Sequence, residues 1–212
     1  MISPERLDVL QTQWVRFVGG LGVEPANAYP VFDRLVAAHS EPHRHYHTLE
    51  HVAEVLKVVG RLAKFADDPV AVQLASWFHD AVYDPKARDN ESRSAEMARA
   101  ALQEMGIDRE AEWVADLIRA TANHRSLDDA DTDVLLDADL AILGAGEARY
   151  LRYAEAIRRE YAFVPDDDYR KGRAAVLEKF LARDRIYRTD VMHLEAEAPA
   201  RQNLRAEIER LK

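Results

Sequence analysis

The chain has 212 residues, 48% of them hydrophobic, which is enough for one substantial core and does not require two. It contains no cysteine, so disulfide frameworks and thiolate metal sites are excluded, and histidine and carboxylate side chains remain as ligand types. A formal net charge of −9 argues against a nucleic-acid polymer as partner, because affinity for phosphate backbones comes from clustered lysine and arginine, but it leaves room for a small anion held by a few arginines and a metal ion.

Met1 to Leu21 mixes acidic and basic residues and has no apolar run of the length that a signal sequence or membrane span needs. A cytoplasmic protein without membrane association is the expectation. Ser3-Pro4 reads as N-cap and first helical position of a helix whose stripe is Leu7, Leu10, Trp14, Phe17, Val18 and Leu21, ended by glycines. A second helix is expected over Tyr29 to Ala38, with Phe32, Leu35 and Val36 inward. The proline-broken stretch Glu41-Pro42-His43-Arg44-His45 reads as a loop. It delivers the chain to Tyr46-His47-Thr48-Leu49-Glu50-His51, where Thr48 suits an N-cap, Glu50 a first turn, and Leu49, Val52, Val55, Leu56 and Val59 recur at helical spacing. His47 and His51 then lie four apart on one helical face, where two imidazoles can serve one ion or divide into a ligand and a proton donor.

Asp68-Pro69 opens a helix that runs through Val72, Leu74, Ala75, Trp77 and Phe78 to His79-Asp80. Adjacent helical residues cannot share a face, but at a helix end a histidine and an aspartate can both reach one ion. Mixed nitrogen and oxygen donors suit Mn, Fe, Zn or Mg. Asn90 is expected to cap an alanine-rich helix with Glu91 in its first turn, ending at Met105-Gly106, and Asp108 to cap another that runs through Trp113, Val114, Leu117 and Ile118 towards Thr121 and His124. The acidic run Asp128 to Asp133 reads as a solvated loop with N-caps. Asp137 and Asp139 differ from it, being embedded in the apolar segment Val134 to Gly144, where a carboxylate is costly unless paired or metal-bound. Two apart on a helix, they point to nearly opposite sides, so one of them faces a site.

Beyond it a helix carries Tyr150, Tyr153, Ile157 and Tyr161 on one face until Pro165 closes it, and another includes Tyr169, Arg173, Val176, Leu177, Phe180 and Leu181. A less regular Ile186 to Glu197 precedes a last amphipathic helix on Leu204, Ile208 and Leu211. Strand alternation, repeats and linkers are missing from the pattern. One all-α domain spanning residues 1–212 is expected, with a motif-bearing core over about 44–144 and helices of 146–212 packed on it.

The candidate ligands are His51, His79, Asp80 and one of Asp137 or Asp139, in the order H, HD, D on separate helices. That order resembles the HD-domain superfamily of metal-dependent phosphohydrolases. The closer likeness, to small stand-alone bacterial members, is carried by Phe78-His79-Asp80-Ala81-Val82-Tyr83, Asn90-Glu91 and Asp137-Ala138-Asp139-Leu140. The resemblance implies an HD-type helical bundle in which His51, His79, Asp80 and Asp139 bind a divalent ion (Mn, Mg, Fe, Co, Ni or Zn). Tyr46-His47 before His51 is similar to the opening motif of cyclic-nucleotide phosphodiesterases, which implies that His47 is the proton donor to the leaving oxygen. The implied reaction is attack of metal-bound hydroxide on the phosphorus of a small phosphorylated metabolite or nucleotide, with Asp80 or Asp139 orienting the nucleophile.

Arg44, His124, Glu91 and Arg173 are candidates for substrate contact: Arg44 as a phosphate clamp, His124 as a phosphate contact or second-metal ligand, Glu91 through a ligand, and Arg173 beside Lys171 by reaching the pocket. His39, His43, His45 and His193 have no assigned role. Two rivals stand beside this reading. His47-Thr48-Leu49-Glu50-His51 fits the H-x-x-E-H pattern of inverted zinc peptidases, with Glu50 as general base. A metal-binding regulatory module would keep the ligands and do no chemistry.

Overall fold

A computed structural model describes residues 2–212, and among them ten α-helices and two short 3-10 helices form one all-helical domain. The central element is α4 (Pro69–Phe78), opened by Asp68, whose carboxylate accepts the N–H groups of Val70 and Ala71. Ala71, Val72 and every residue from Leu74 to Phe78 are buried, so this short helix is covered on all sides. Four helices cover it: α3 (Leu49–Leu62), α5 (Asn90–Glu104), α6 (Asp108–Thr121) and α7 (Ala130–Asp139). The hairpin of α1 (Pro4–Gly19) and α2 (Pro25–His39) closes the remaining side through Trp14 and Phe32, whose rings meet Trp77 edge-on at 5.4 and 6.2 Å. Trp14 also ties the hairpin together, its indole N–H donating to the Ala28 carbonyl at 2.9 Å.

The C-terminal layer consists of α8 (Glu147–Glu160), α9 (Asp166–Leu181) and α10 (Asp190–Leu211). Here the sequence pattern misleads, because α10 begins at Asp190, capped by Thr189, and runs unbroken through Pro199. A proline removes one backbone hydrogen bond. Burial of Ala196, Ala200 and Leu204 holds the helix through it. Gly144 is what permits the approach, since a Cβ there would stand 2.7 Å from the Ala196 Cβ. Other local expectations shift by a residue or more. Asp89 and Ile107, not Asn90 and Asp108, are the N-caps of α5 and α6, and the Asn90 amide is instead bonded in both directions to the backbone of Asp84. α2 starts at Pro25, and Leu21 lies beyond α1, exposed. The acidic run is only partly solvated: Asp129 caps α7, while Asp131 is buried and accepts the Asp68 N–H and the Trp113 indole N–H at 2.8 and 2.9 Å. No helix among the described residues is long and apolar enough to cross a membrane.

His39, at the end of α2, is buried with Nδ1 on the Leu35 carbonyl and no partner for Nε2. Burial, with the Arg44 charge nearby, pushes its pKa down to about 3. The folded chain therefore keeps it neutral while the unfolded chain protonates it below about pH 6.5, so its contribution is complete above that pH and falls by about 1.4 kcal/mol per unit below it. Urea unfolding at pH 7 and pH 5 should show the wild type losing about 2 kcal/mol more than His39→Leu over this interval.

Candidate metal centre

Three helix ends converge at one point. His51 sits in the first turn of α3, on the face that buries Val52, Val55 and Val59. His79 is the C-cap of α4, its backbone N–H on the Ala75 carbonyl, and Asp80 follows in the turn. Asp139 ends α7. The His51 and His79 Nε2 atoms stand 3.1 Å apart. Asp80 Oδ2 lies 3.4 and 3.2 Å from them, and Asp139 Oδ1 lies 3.2 and 3.6 Å away. Donors about 2.1 Å from a shared cation stand about 3.0 Å apart at right angles and about 3.4 Å apart in a tetrahedron. The observed spacings cover that range.

The donor chemistry points the same way. His79 Nδ1 faces the Ser76 carbonyl at 3.1 Å and donates to it, which leaves Nε2 as a lone pair in the neutral ring. Another imidazole nitrogen and two carboxylate oxygens face that atom, so the group attracts positive charge, either as protons on the imidazoles or as a metal ion. His51, His79 and Asp139 have donor atoms all within 4.8 Å of one another and are able to hold a metal ion. Asp80 Oδ2 places a further carboxylate oxygen within 3.4 Å of both imidazoles. Burial opposes charge on either imidazole. The Asp139 and Asp80 hydrogen bonds overcome it at His51, and the Asp80 charge with the same kind of bonds overcomes it at His79, so both pKa values are raised. Burial would likewise raise the carboxyls, but His79 and His47 hold Asp80, and His124, His51 and His79 hold Asp139, well below the usual range. The carboxylates are charged and ready to bind a cation.

Asp139, not Asp137, is the aspartate at the site. Asp137 turns away and ties α7 to the C-terminal layer, accepting the backbone N–H groups of Arg188 and Thr189 at 2.7 Å each and the Thr189 hydroxyl at 2.6 Å. The second Asp139 oxygen, Oδ2, meets His124 Nε2 at 3.0 Å, which brings His124 to the edge of the centre. His124 holds a left-handed backbone with φ of 45°, and Arg183 anchors that segment through the Asn123 and His124 carbonyls.

His47 differs from the helical-face expectation, because α3 begins only at Leu49 and His47 lies before its Thr48 N-cap. What holds it is a residue the sequence reading missed. Glu160, the buried last residue of α8, accepts the N–H groups of His45, Tyr46 and His47 on Oε1 at 2.7, 2.7 and 3.0 Å. On Oε2 it accepts His47 Nδ1 at 2.7 Å and the Tyr83 hydroxyl at 3.0 Å. Burial would raise its pKa, but these bonds and the His47 charge lower it to about 2. The imidazole is stacked obliquely on Tyr83, with ring centres 4.2 Å apart, and remains partly exposed.

Other candidates have different work. Arg44 is buried; it donates to Glu41, to the carbonyls of His47 and Ala81, and at 2.6 Å to that of Asp80, so the expected phosphate clamp is a brace that holds two motif segments together. Arg44→Ala should cost about 2–4 kcal/mol in denaturant unfolding, because it leaves the carbonyls of His47, Asp80 and Ala81 without their donor. Arg173 is paired with Glu207 at 2.8 Å beneath Tyr153, away from the donor group. Glu91 is half-buried and, among the described residues, hydrogen-bonds to none of the four donors; its charge reaches Tyr161 instead. Glu50 is exposed and pairs with Arg6 at 3.4 Å, so the general base of an H-x-x-E-H zinc site is not in place. The chain matches no protein-family model, no curated protein and no solved structure.

Proposed function

We propose that the protein is a divalent-metal-dependent phosphohydrolase of the HD type, acting on a small phosphorylated metabolite or nucleotide. The observation that carries this reading is the convergence of two buried imidazoles, His51 and His79, with the partly exposed carboxylates of Asp80 and Asp139, beside a histidine fixed by a carboxylate. A divalent ion held there supplies a nucleophile from water near neutral pH and polarises a phosphoryl oxygen. His51 and His79 bind through Nε2, with the His79 tautomer set by Ser76. Asp80 and Asp139 would neutralise the ion, and either would accept a hydrogen bond from the attacking water. His47 keeps Nδ1–H on Glu160, which orients the ring and points Nε2 towards the departing oxygen as its proton donor. The net charge of −9 favours a small substrate over a phosphate polymer.

The test is a metal assay of the purified protein, followed by a screen of phosphorylated metabolites with Mn, Mg, Co or Ni added. Release of inorganic phosphate or a monoester, lost in Asp80→Asn, supports the proposal. Metal bound without hydrolysis of any phosphomonoester or diester would favour the regulatory module.

A further inference from the structure

Catalysis on a phosphoryl group calls for a cation to receive the charge on its equatorial oxygens. The arginines nominated from sequence, Arg44 and Arg173, are both buried and committed to protein partners. A different arginine faces the donor group. A cavity of about 40 Å³ opens onto His51 and Asp139, and its rim carries Arg149 from the first turn of α8. Arg149 is held there by Glu54, at 3.0 Å, with the two side chains 47% and 39% exposed. Glu54 lies one helical turn after His51 on α3 and so reaches the same opening.

We propose that Arg149 is the oxyanion-binding residue of the site and that Glu54 is its displaceable counter-ion. The inference rests on the proposed function, since the oxyanion is the phosphoryl group that shares the cation of the His51 and Asp139 quartet. An exposed ion pair is weak and is given up readily, whereas a dianionic phosphoryl group offers the guanidinium two parallel hydrogen bonds and a larger charge. The walls supplied by Val55, Val58 and Ile142 are apolar, which strengthens the interaction once the group is seated. The cavity beside the ion pair is small, so a phosphoryl group seated against Arg149 takes the place of the Glu54 carboxylate. A neutral ligand cannot drive that exchange. The pair thus selects anions, and Glu54 sets the affinity that Arg149 provides.

The probe is inorganic phosphate, titrated calorimetrically into the Mn-loaded full chain, with the metal content of each variant measured in parallel. Arg149→Ala should weaken phosphate at least about tenfold, and Glu54→Gln should tighten it several-fold, both with wild-type metal content. Arg152→Ala, an exposed arginine on the same helix, should bind as wild type does. Unchanged phosphate affinity in Arg149→Ala with metal retained overturns the subsite and leaves the metal centre standing. Failure of the wild type to take up any divalent ion overturns the proposed function first, and the subsite with it.

Discussion

His79→Ala is expected to abolish hydrolysis and to lower divalent-metal affinity by two or more orders of magnitude. His79 Nε2 stands close to all three other donors, 3.1 Å from His51 Nε2, 3.2 Å from Asp80 and 3.6 Å from Asp139. Its removal leaves His51 and two carboxylates, and the two charges then have only one imidazole to face. A structural effect is separable from a ligand effect. Metal that binds only the folded state stabilises by about 4 kcal/mol at a thousandfold excess over Kd. The wild type should therefore show a melting temperature that rises with added Mn and falls on chelation. His79→Ala, folded in circular dichroism, should show a melting temperature indifferent to both. An alanine variant that still melts higher with metal and still turns over would mean that the cation is held elsewhere.

The second large effect belongs to Glu160. In Glu160→Gln the acceptor of His47 Nδ1 is replaced by an amide that is no longer charged, and the imidazolium loses its counter-ion. Activity should fall by about 10²–10³-fold, the scale of a lost general acid, while metal content stays at the wild-type level. The split between activity and metal content is the diagnostic, because His79→Ala loses both. Glu160 also carries stability. Its folded pKa of about 2 lies below the unfolded carboxyl value, so the contribution is present above about pH 4.5 and disappears as the pH falls through 2, amounting to about 3 kcal/mol in all. Acid unfolding of Glu160→Gln should lack that component. Equal activity in variant and wild type would show that His47 needs no carboxylate partner and donates no proton.

The candidate ligands were legible because their chemistry conflicts with their surroundings. His51, His79 and Asp139 each interrupt an apolar run at a helix end, and a polar group in such a place needs a partner or an ion. The helical class was legible from period alone. His47 was misplaced because spacing places residues on a common face only inside a helix, and α3 starts two residues after it. Glu160 was missed because its partners, Tyr83 and the 45–47 segment, are distant in sequence and leave no local pattern. A signal did exist, since Tyr150, Tyr153, Ile157 and Glu160 follow one helical stripe and a carboxylate at its last position had to be satisfied inside. Asp131 carries the same mark beside Val134, Leu135 and Ala138. Arg44 shows the converse limit: residue type and position suggest a phosphate contact, and only the fold reveals that its donors are already taken by backbone carbonyls.

The most direct measurement is anomalous diffraction from crystals of the full chain grown with Mn or Zn. The account predicts a peak about 2.0–2.3 Å from His51 Nε2, His79 Nε2, an Asp80 oxygen and an Asp139 oxygen. A map with metal bound at other residues and none within reach of these four would contradict it.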